Sequence, residues 1–253
     1  MNDRQEALLR GLRSRFFRVV SFHPDDLLPS TLYHYTSAAG LKGIIETGTL
    51  WGGNYSYLND ASELLYGRGH ASDVVLKRLR AEDDVHIRSF LKRLHDRLRK
   101  TAEAVDFYLT CFCKTPDLLS QWRGYGANQG RYCIAFDGEQ LLQGDPTLQT
   151  LSRFSGSVIY EADRQRQKIT SALDRATEAL IEGGSDSPHF QVALIDVLIL
   201  KLLRELSLFK AEGFREEDEW RLVHTSSDFS SLHFTAASGV LRPFVVTLCA
   251  NIG

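Results

Sequence analysis

At 253 residues, 43% hydrophobic and 25% charged, the chain can bury a substantial core, which excludes a disordered polymer and a miniprotein that depends on covalent staples. A net charge of -2 and a pI near 6.4 exclude a global basic field for nonspecific nucleic-acid binding, although a local patch is compatible with them. Cys111, Cys113, Cys133 and Cys249 form no Cys-x-x-Cys pair, and the start MNDRQEALLRGLRSRFF lacks a signal-peptide core, so free, buried thiols in a reducing cytoplasm are expected.

Residues from about Asp3 to Val20 place Leu8, Leu12, Phe16 and Val19 at helical spacing with arginines opposite, an amphipathic helix that packs on the domain or on a partner protein. His23-Pro24-Asp25-Asp26 and Pro29 break the chain. Leu32-Tyr33-His34-Tyr35 then reads as a strand with Tyr33 and Tyr35 on one face and Leu32 and His34 on the other. Thr36 or Ser37 caps a short helix through Leu41, Ile44 and Ile45 that Gly48 ends, and Thr49-Leu50-Trp51 starts a second strand. Gly52-Gly53 leads into the polar loop NYSYLND, where Tyr55 and Tyr57 share a side if the loop is extended. Residues 64–105 read as two inserted helices.

Phe107–Cys113 and Arg131–Phe136 are strand candidates joined by KTPDLLSQWRGYGANQG, a glycine-rich aromatic loop suited to one wall of a pocket. Gly156–Tyr160 is a third. Helices are expected over about 162–182 and 188–211, separated by Gly183-Gly184-Ser185. The apolar run Val192–Phe209 is interrupted by Asp196, Lys201, Arg204 and Glu205, so it reads as a buried helix rather than a membrane span. The end is β again, at Glu219–Thr225, Leu232–Thr235 and Val240–Cys249, with Pro243 as an edge or bulge residue. Strands at both ends with helices between them imply one α+β domain of mostly antiparallel sheet, carrying an N-terminal extension (1–28) and helical insertions (64–105 and 162–211).

The order strand-HYT, short helix, Gly, strand, then SYLND-x-x-E resembles the bacterial domain-of-unknown-function family 2971. So do Asp117, Trp122, Tyr125 and Gly126 in DLLSQWRGYG, and Glu217, Glu219, Trp220 and Arg221 in EEDEWR. Histidine then threonine on a first strand is more distantly similar to the ADP-ribosyltransferase fold, whose split antiparallel sheets hold NAD between a His, an aromatic Tyr and a late Glu. That likeness implies an NAD-consuming transferase or glycohydrolase. NAD is its substrate, no metal is needed, and the acceptor is a protein, a nucleic acid or water, as in a toxin or anti-phage effector. It implies Glu219, His34 and Tyr57 as catalytic residues, with Glu217 the alternative carboxylate. His34, Tyr35, Thr36, Tyr55, Trp122, Tyr125 and Arg221 would hold NAD, with Lys210 and Arg242 as further cations for the pyrophosphate. His34 and Glu219 are expected to face one cleft.

Each of these residues also has a bland role. His34 can satisfy a neighbouring carbonyl, Trp122 can be core, Asn59 can make an Asx-turn, and Asp60 with Glu63 can form a capping box. Two functional alternatives stay open. One is a nucleotide-sensing module that binds through His34, Trp122 and Arg221 without turnover. The other is a nuclease whose Asp60, Glu63, Glu217 and Glu219 gather around a hard metal. The sequence holds no P-loop, no Gly-x-Gly-x-x-Gly after a strand and no Gly-x-Ser-x-Gly elbow.

Overall fold

The computed structural model describes residues 1–17, 28–57, 63–104, 106–124, 130–143, 153–226, 232–237 and 239–248. In chain order the elements are α1 (Asp3–Phe16), β1 (Thr31–Ser37), α2 (Ala38–Thr47), β2 (Thr49–Asn54), α3 (Glu63–Ala81), α4 (Val85–Ala104), β3 (Asp106–Cys113) and α5 (Leu119–Gly124). There follow β4 (Arg131–Asp137), α6 (Gly138–Gln143), β5 (Arg153–Ser157), α7 (Ala162–Gly183), α8 (Pro188–Leu206), β6 (Glu219–Ser226), β7 (His233–Ala237) and β8 (Val240–Leu248). Single 3-10 turns cover Tyr55–Tyr57 and Glu212–Glu217. The chain divides into two compact units, Met1–Arg18 with Ser62–Val105 and Ile159–Ala211, and Val19–Ala61 with Asp106–Val158 and Glu212–Gly253.

The first unit collects α1, α3, α4, α7 and α8. Asn2 and Gln5 close a reciprocal capping box that starts α1, and Gln5 Nε2 also donates to the Gly183 carbonyl at 2.8 Å. The stripe α1 buries runs through Leu9, Leu12 and Phe16, with Leu8 at its margin, because 3.6-residue periodicity carries the inward face past Leu8. Pro188 opens α8, which buries Leu194, Leu198 and Leu202 completely. Half-buried Asp196 on α8 pairs with Arg97 of α4 at 3.1 Å, and Glu205 pairs with Lys201. No described helix is long and apolar enough to cross a membrane. Gln165 of α7 is fully buried, and its amide donates to the carbonyls of Ile159 at 2.6 Å and Lys210 at 2.9 Å. A polar group placed there fixes both segments, since leaving it unsatisfied would cost about 1–3 kcal/mol.

The second unit is an antiparallel sheet with short helices. β6 lies along the whole of β3, from Asp106 opposite Ser226 to Cys113 opposite Glu219, and β5 lies beyond β6. The other edge of β3 is shared. β1 pairs with it only at Tyr33–Cys113, β2 only at Gly53–Leu109 and Asn54–Tyr108. The two strands therefore part along one edge, β1 continuing to β4 and β2 to β8 and β7. Ser37, of the two hydroxyl residues considered, caps α2 by accepting from the Gly40 amide at 3.2 Å, and Gly48 ends the helix at a φ of 62°, a conformation that favours glycine. Ile44 of α2 and Leu141 of α6 close the core of Leu32, Leu50, Phe112, Trp220 and Leu222 on one sheet face.

The strand expected at Gly156–Tyr160 is displaced toward the N-terminus. β5 ends at Ser157, and Ile159 makes an isolated parallel bridge to Phe209 because its amide is taken by the Leu208 carbonyl. Pro243 is not on an edge strand, since β8 has β7 on one side and β2 on the other. β2 pairing stops at Phe244, so the missing N–H falls where only one partner is present.

Gly183 closes α7 against Phe190, and a Cβ there would lie 2.3 Å from a ring carbon of that fully buried side chain. Gly183→Ala should therefore cost about 1–3 kcal/mol by overpacking, read as a lower urea midpoint with an unchanged denaturant slope.

Candidate functional site at the end of strands β3 and β6

In an antiparallel pair, residues directly opposite project to the same face. The row Tyr33–Cys113–Glu219 therefore places Tyr33, Tyr35, Cys111, Cys113, Glu219 and Arg221 on one face. Leu32, His34, Phe112, Trp220 and Leu222 take the other, the core face. The expectation that His34 and Glu219 face one cleft is not met. His34 is one residue out of step with Tyr33, and a one-residue step along a strand reverses the face.

His34 instead donates from Nδ1 to the Cys111 carbonyl at 2.9 Å, with its ring 5.6 Å from that of Phe112. Burial lowers its pKa below the usual 6.5, only partly offset by the bond to Cys111, so the ring is neutral with its proton on Nδ1. The carbonyl it satisfies lies on the stretch of β3 between the β1 and β2 pairings, which makes His34 a plug in the split.

Glu219 and Arg221 form a buried ion pair. Arg221 Nη2 and Nε donate to Glu219 Oε2 at 2.6 and 3.0 Å, and the residues are 2% and 7% exposed, Arg221 the deeper. Beside them burial, and then Glu219, push the Cys113 thiol far above its ordinary range. Tyr35 Oη accepts the Leu118 amide at 3.0 Å, and its ring meets Trp122 edge to face at 5.0 Å. Trp122 is fixed in turn, its indole N–H donating to Asp117 Oδ1 at 2.8 Å. Asp117 and Asp218 hold positive φ values of 59° and 45°. Asp218 accepts from Lys114 Nζ at 2.9 Å and from Thr115 Oγ1 at 2.7 Å, while Lys114 Nζ also reaches Ser157 Oγ at 2.9 Å. Two aspartates in a conformation costing about 1–3 kcal/mol each flank the face at its open end. Lys114, Thr115 and Asp218 were not expected from sequence. The signal for Lys114 and Thr115 was the K-T-P-D turn, which read only as loop, and Asp218 stood as one more acid in REEDEWR.

The remaining predicted residues do not gather here. Glu217, the alternative carboxylate, is not on β6: it ends a 3-10 turn, and positive-φ Asp218 separates it from Glu219. Tyr55 and Tyr57 follow Asn54, which is paired with Tyr108 at the opposite end of β3, five residues from Cys113 and about 17 Å away along the strand. Tyr55 packs on Phe107, and Tyr57 lies under the Arg242 guanidinium at 5.9 Å. Thr36 is on the His34 face, and Lys210 belongs to the helical unit. Tyr125, Gly126, Asn59, Asp60, Cys249 and the His23–Asp26 break lie outside the described residues, as does the Glu63 side chain. Among the described residues, no group of three or more His, Cys, Asp or Glu side chains is placed to hold a metal ion. A groove in the helical unit, lined by Arg15, Arg166 and Arg175 against Asp163, Asp174 and Glu178, balances its charges and presents no net field.

Residues 121–222 match the model of a family described as protein of unknown function (DUF2971). The motif resemblance is thereby shown over the stretch that contains Trp122, Glu219 and Arg221, while the His34 motif lies before it. No curated protein and no solved structure gives a match.

Breaking a buried pair by removing one partner is strongly destabilising, so Arg221→Met should cost about 3–5 kcal/mol in denaturant unfolding, more than an apolar replacement of both residues together. His34 gives a pH dependence. Its folded-state pKa lies below the unfolded 6.5, so its contribution is complete above 6.5 and declines as pH falls through the interval beneath it. His34→Gln should flatten the stability profile in that interval, measured by denaturation at successive pH values.

Proposed function

We propose that the sheet unit binds NAD against the face carrying Tyr33, Tyr35 and the Glu219–Arg221 pair, and cleaves its nicotinamide–ribose bond, passing ADP-ribose to a macromolecule or to water. The observation that carries this reading is the buried pair itself. Burying two charges costs several kcal/mol per ion, and apolar residues of similar volume would serve stability as well. Its place on a tyrosine-lined face, beside two strained aspartates, favours use over scaffolding.

In this mechanism Arg221 exchanges Glu219 for a pyrophosphate oxygen, a guanidinium–phosphate contact of the stronger kind. The released carboxylate accepts the hydrogen bond of the ribose 2′-hydroxyl and stabilises positive charge developing at C1′. The C1′–N bond breaks, and its electron pair leaves with nicotinamide, neutralising the pyridinium. The acceptor oxygen or nitrogen then bonds to C1′ and releases its proton to solvent. Trp122 positions Tyr35. His34 has no part in the chemistry, because a mechanism that joins it to Glu219 conflicts with their opposite faces.

The short Arg221–Glu219 contacts favour one second reading, binding of a nucleotide without turnover, in which the pair never opens. Incubation of the purified protein with NAD and quantification of free nicotinamide separates the two. Release is expected, and Glu219→Gln should lower kcat at least about a hundredfold with KM little changed, since the lost interaction belongs to the transition state. Undiminished release by that variant removes Glu219 from this role. Absence of release together with calorimetric NAD binding establishes the second reading.

A further inference from the structure

We propose that the outer part of the sheet, where β2, β8 and β7 lie side by side, is a binding surface for the unpaired bases of single-stranded nucleic acid. The inference does not depend on NAD chemistry. Phe244 of β8 stands opposite Gly53 of β2 and His233 of β7, and Trp51 is two residues from Gly53, so Trp51, Phe244 and His233 project from one face of three adjacent strands. Their rings form a series. Trp51 and Phe244 stack at 4.0 Å between centroids and 22° between planes, and Phe244 and His233 at 5.4 Å and 29°.

Burial along the series is uneven in an informative way. Phe244 in the middle is 8% exposed, Trp51 at one end is 50% exposed, and His233 at the other is exposed. Both ends therefore offer an aromatic ring to solvent. The hydrophobic core cluster of this unit lies on the opposite face, so the ladder adds nothing to it. A flat ring that continues the stack fits such an end, and any base supplies one, at a gain of about 1–3 kcal/mol per base.

Arg242 supplies the charge. It lies two residues from Phe244 on the same face of β8, its guanidinium sits over the Tyr57 ring at 5.9 Å, and its buried Nε has no hydrogen-bond partner. The half-buried guanidinium beside the aromatic stack can take an acceptor from solution. A phosphate oxygen provides one and an apolar protein surface does not, which decides between the two kinds of partner. The net charge of -2 adds no long-range attraction, so the affinity must come mainly from stacking.

Fluorescence anisotropy with labelled oligo-dT and oligo-rU of about ten nucleotides tests this, with a duplex of equal length and thymidine monophosphate as controls. Either single strand should bind, the duplex and the mononucleotide at least tenfold more weakly. The salt dependence should be shallow, with a log–log slope near -0.7 for one phosphate contact. Trp51→Ala should weaken binding about tenfold, Trp51→Phe much less, and Arg242→Met should abolish most of the salt slope. Trp51 is half exposed, so these variants keep the fold, and Trp51→Ala should release nicotinamide from NAD as the parent protein does. Glu219→Gln should bind oligonucleotide normally, which separates failure here from failure of the NAD reading. The proposal is overturned if neither strand binds at low salt, if duplex or mononucleotide binds as well, or if Trp51→Ala is unaffected.

Discussion

A strand has two edges, and β3 serves three neighbours. β6 occupies one edge for all eight residues, so β1 and β2 must share the other, one near Cys113 and one near Tyr108. The hydrogen bond from His34 to the Cys111 carbonyl follows from this geometry, because a backbone acceptor between the two pairings has to be satisfied by a side chain if no strand reaches it. The split also distributes chemistry. It separates a wing of tyrosines on β1, at the end of β3 where Glu219 and Arg221 of β6 stand, from a wing of stacked rings on β2, β8 and β7.

Electrostatics within the first wing are set by depth. Cys113 lies between Tyr33 and Glu219, and burial with a carboxylate neighbour holds it as a neutral thiol. Burial raises Cys133 in the same direction. Cys113 and Cys133 therefore act as small apolar groups at neutral pH rather than as nucleophiles, and the charge available on this face resides in Glu219 and Arg221.

Much of the fold was legible because periodicity reports burial. The helices around Ile169 and Leu194 follow the 3.6-residue rule, whereas Phe107–Cys113 was legible as a β-rich apolar run that is buried at nearly every residue, and in β1 Tyr33 and His34 are half-buried alike. What periodicity lacks is pairing. Nothing local in Leu32–Tyr35 or in Glu219–Arg221 says that Tyr33 rather than His34 will stand level with Cys113 and Glu219, since register is settled by contacts between residues far apart in sequence. Asp218 hid a second fact. As one more acid in REEDEWR it looked continuous with Glu217 and Glu219, yet its positive φ ends a 3-10 turn and starts a strand. Asp117 was legible as a motif position but not as the acceptor that locks Trp122.

The interleaving of the two units has a consequence for biosynthesis. The chain passes between them five times, and the helical unit takes its segments from Met1–Arg18, Ser62–Val105 and Ile159–Ala211. A ribosome delivers these in order, so α1 must wait for α7 and α8 before the stripe of Leu9, Leu12 and Phe16 is covered by its partners. The sheet waits longer still, because β3 exposes its full-length edge until β6 emerges more than a hundred residues later. An exposed, apolar strand edge held open during translation is a template for association with other chains. A chaperone that shields nascent Phe107–Cys113 would therefore raise the yield of folded protein more than one acting after release.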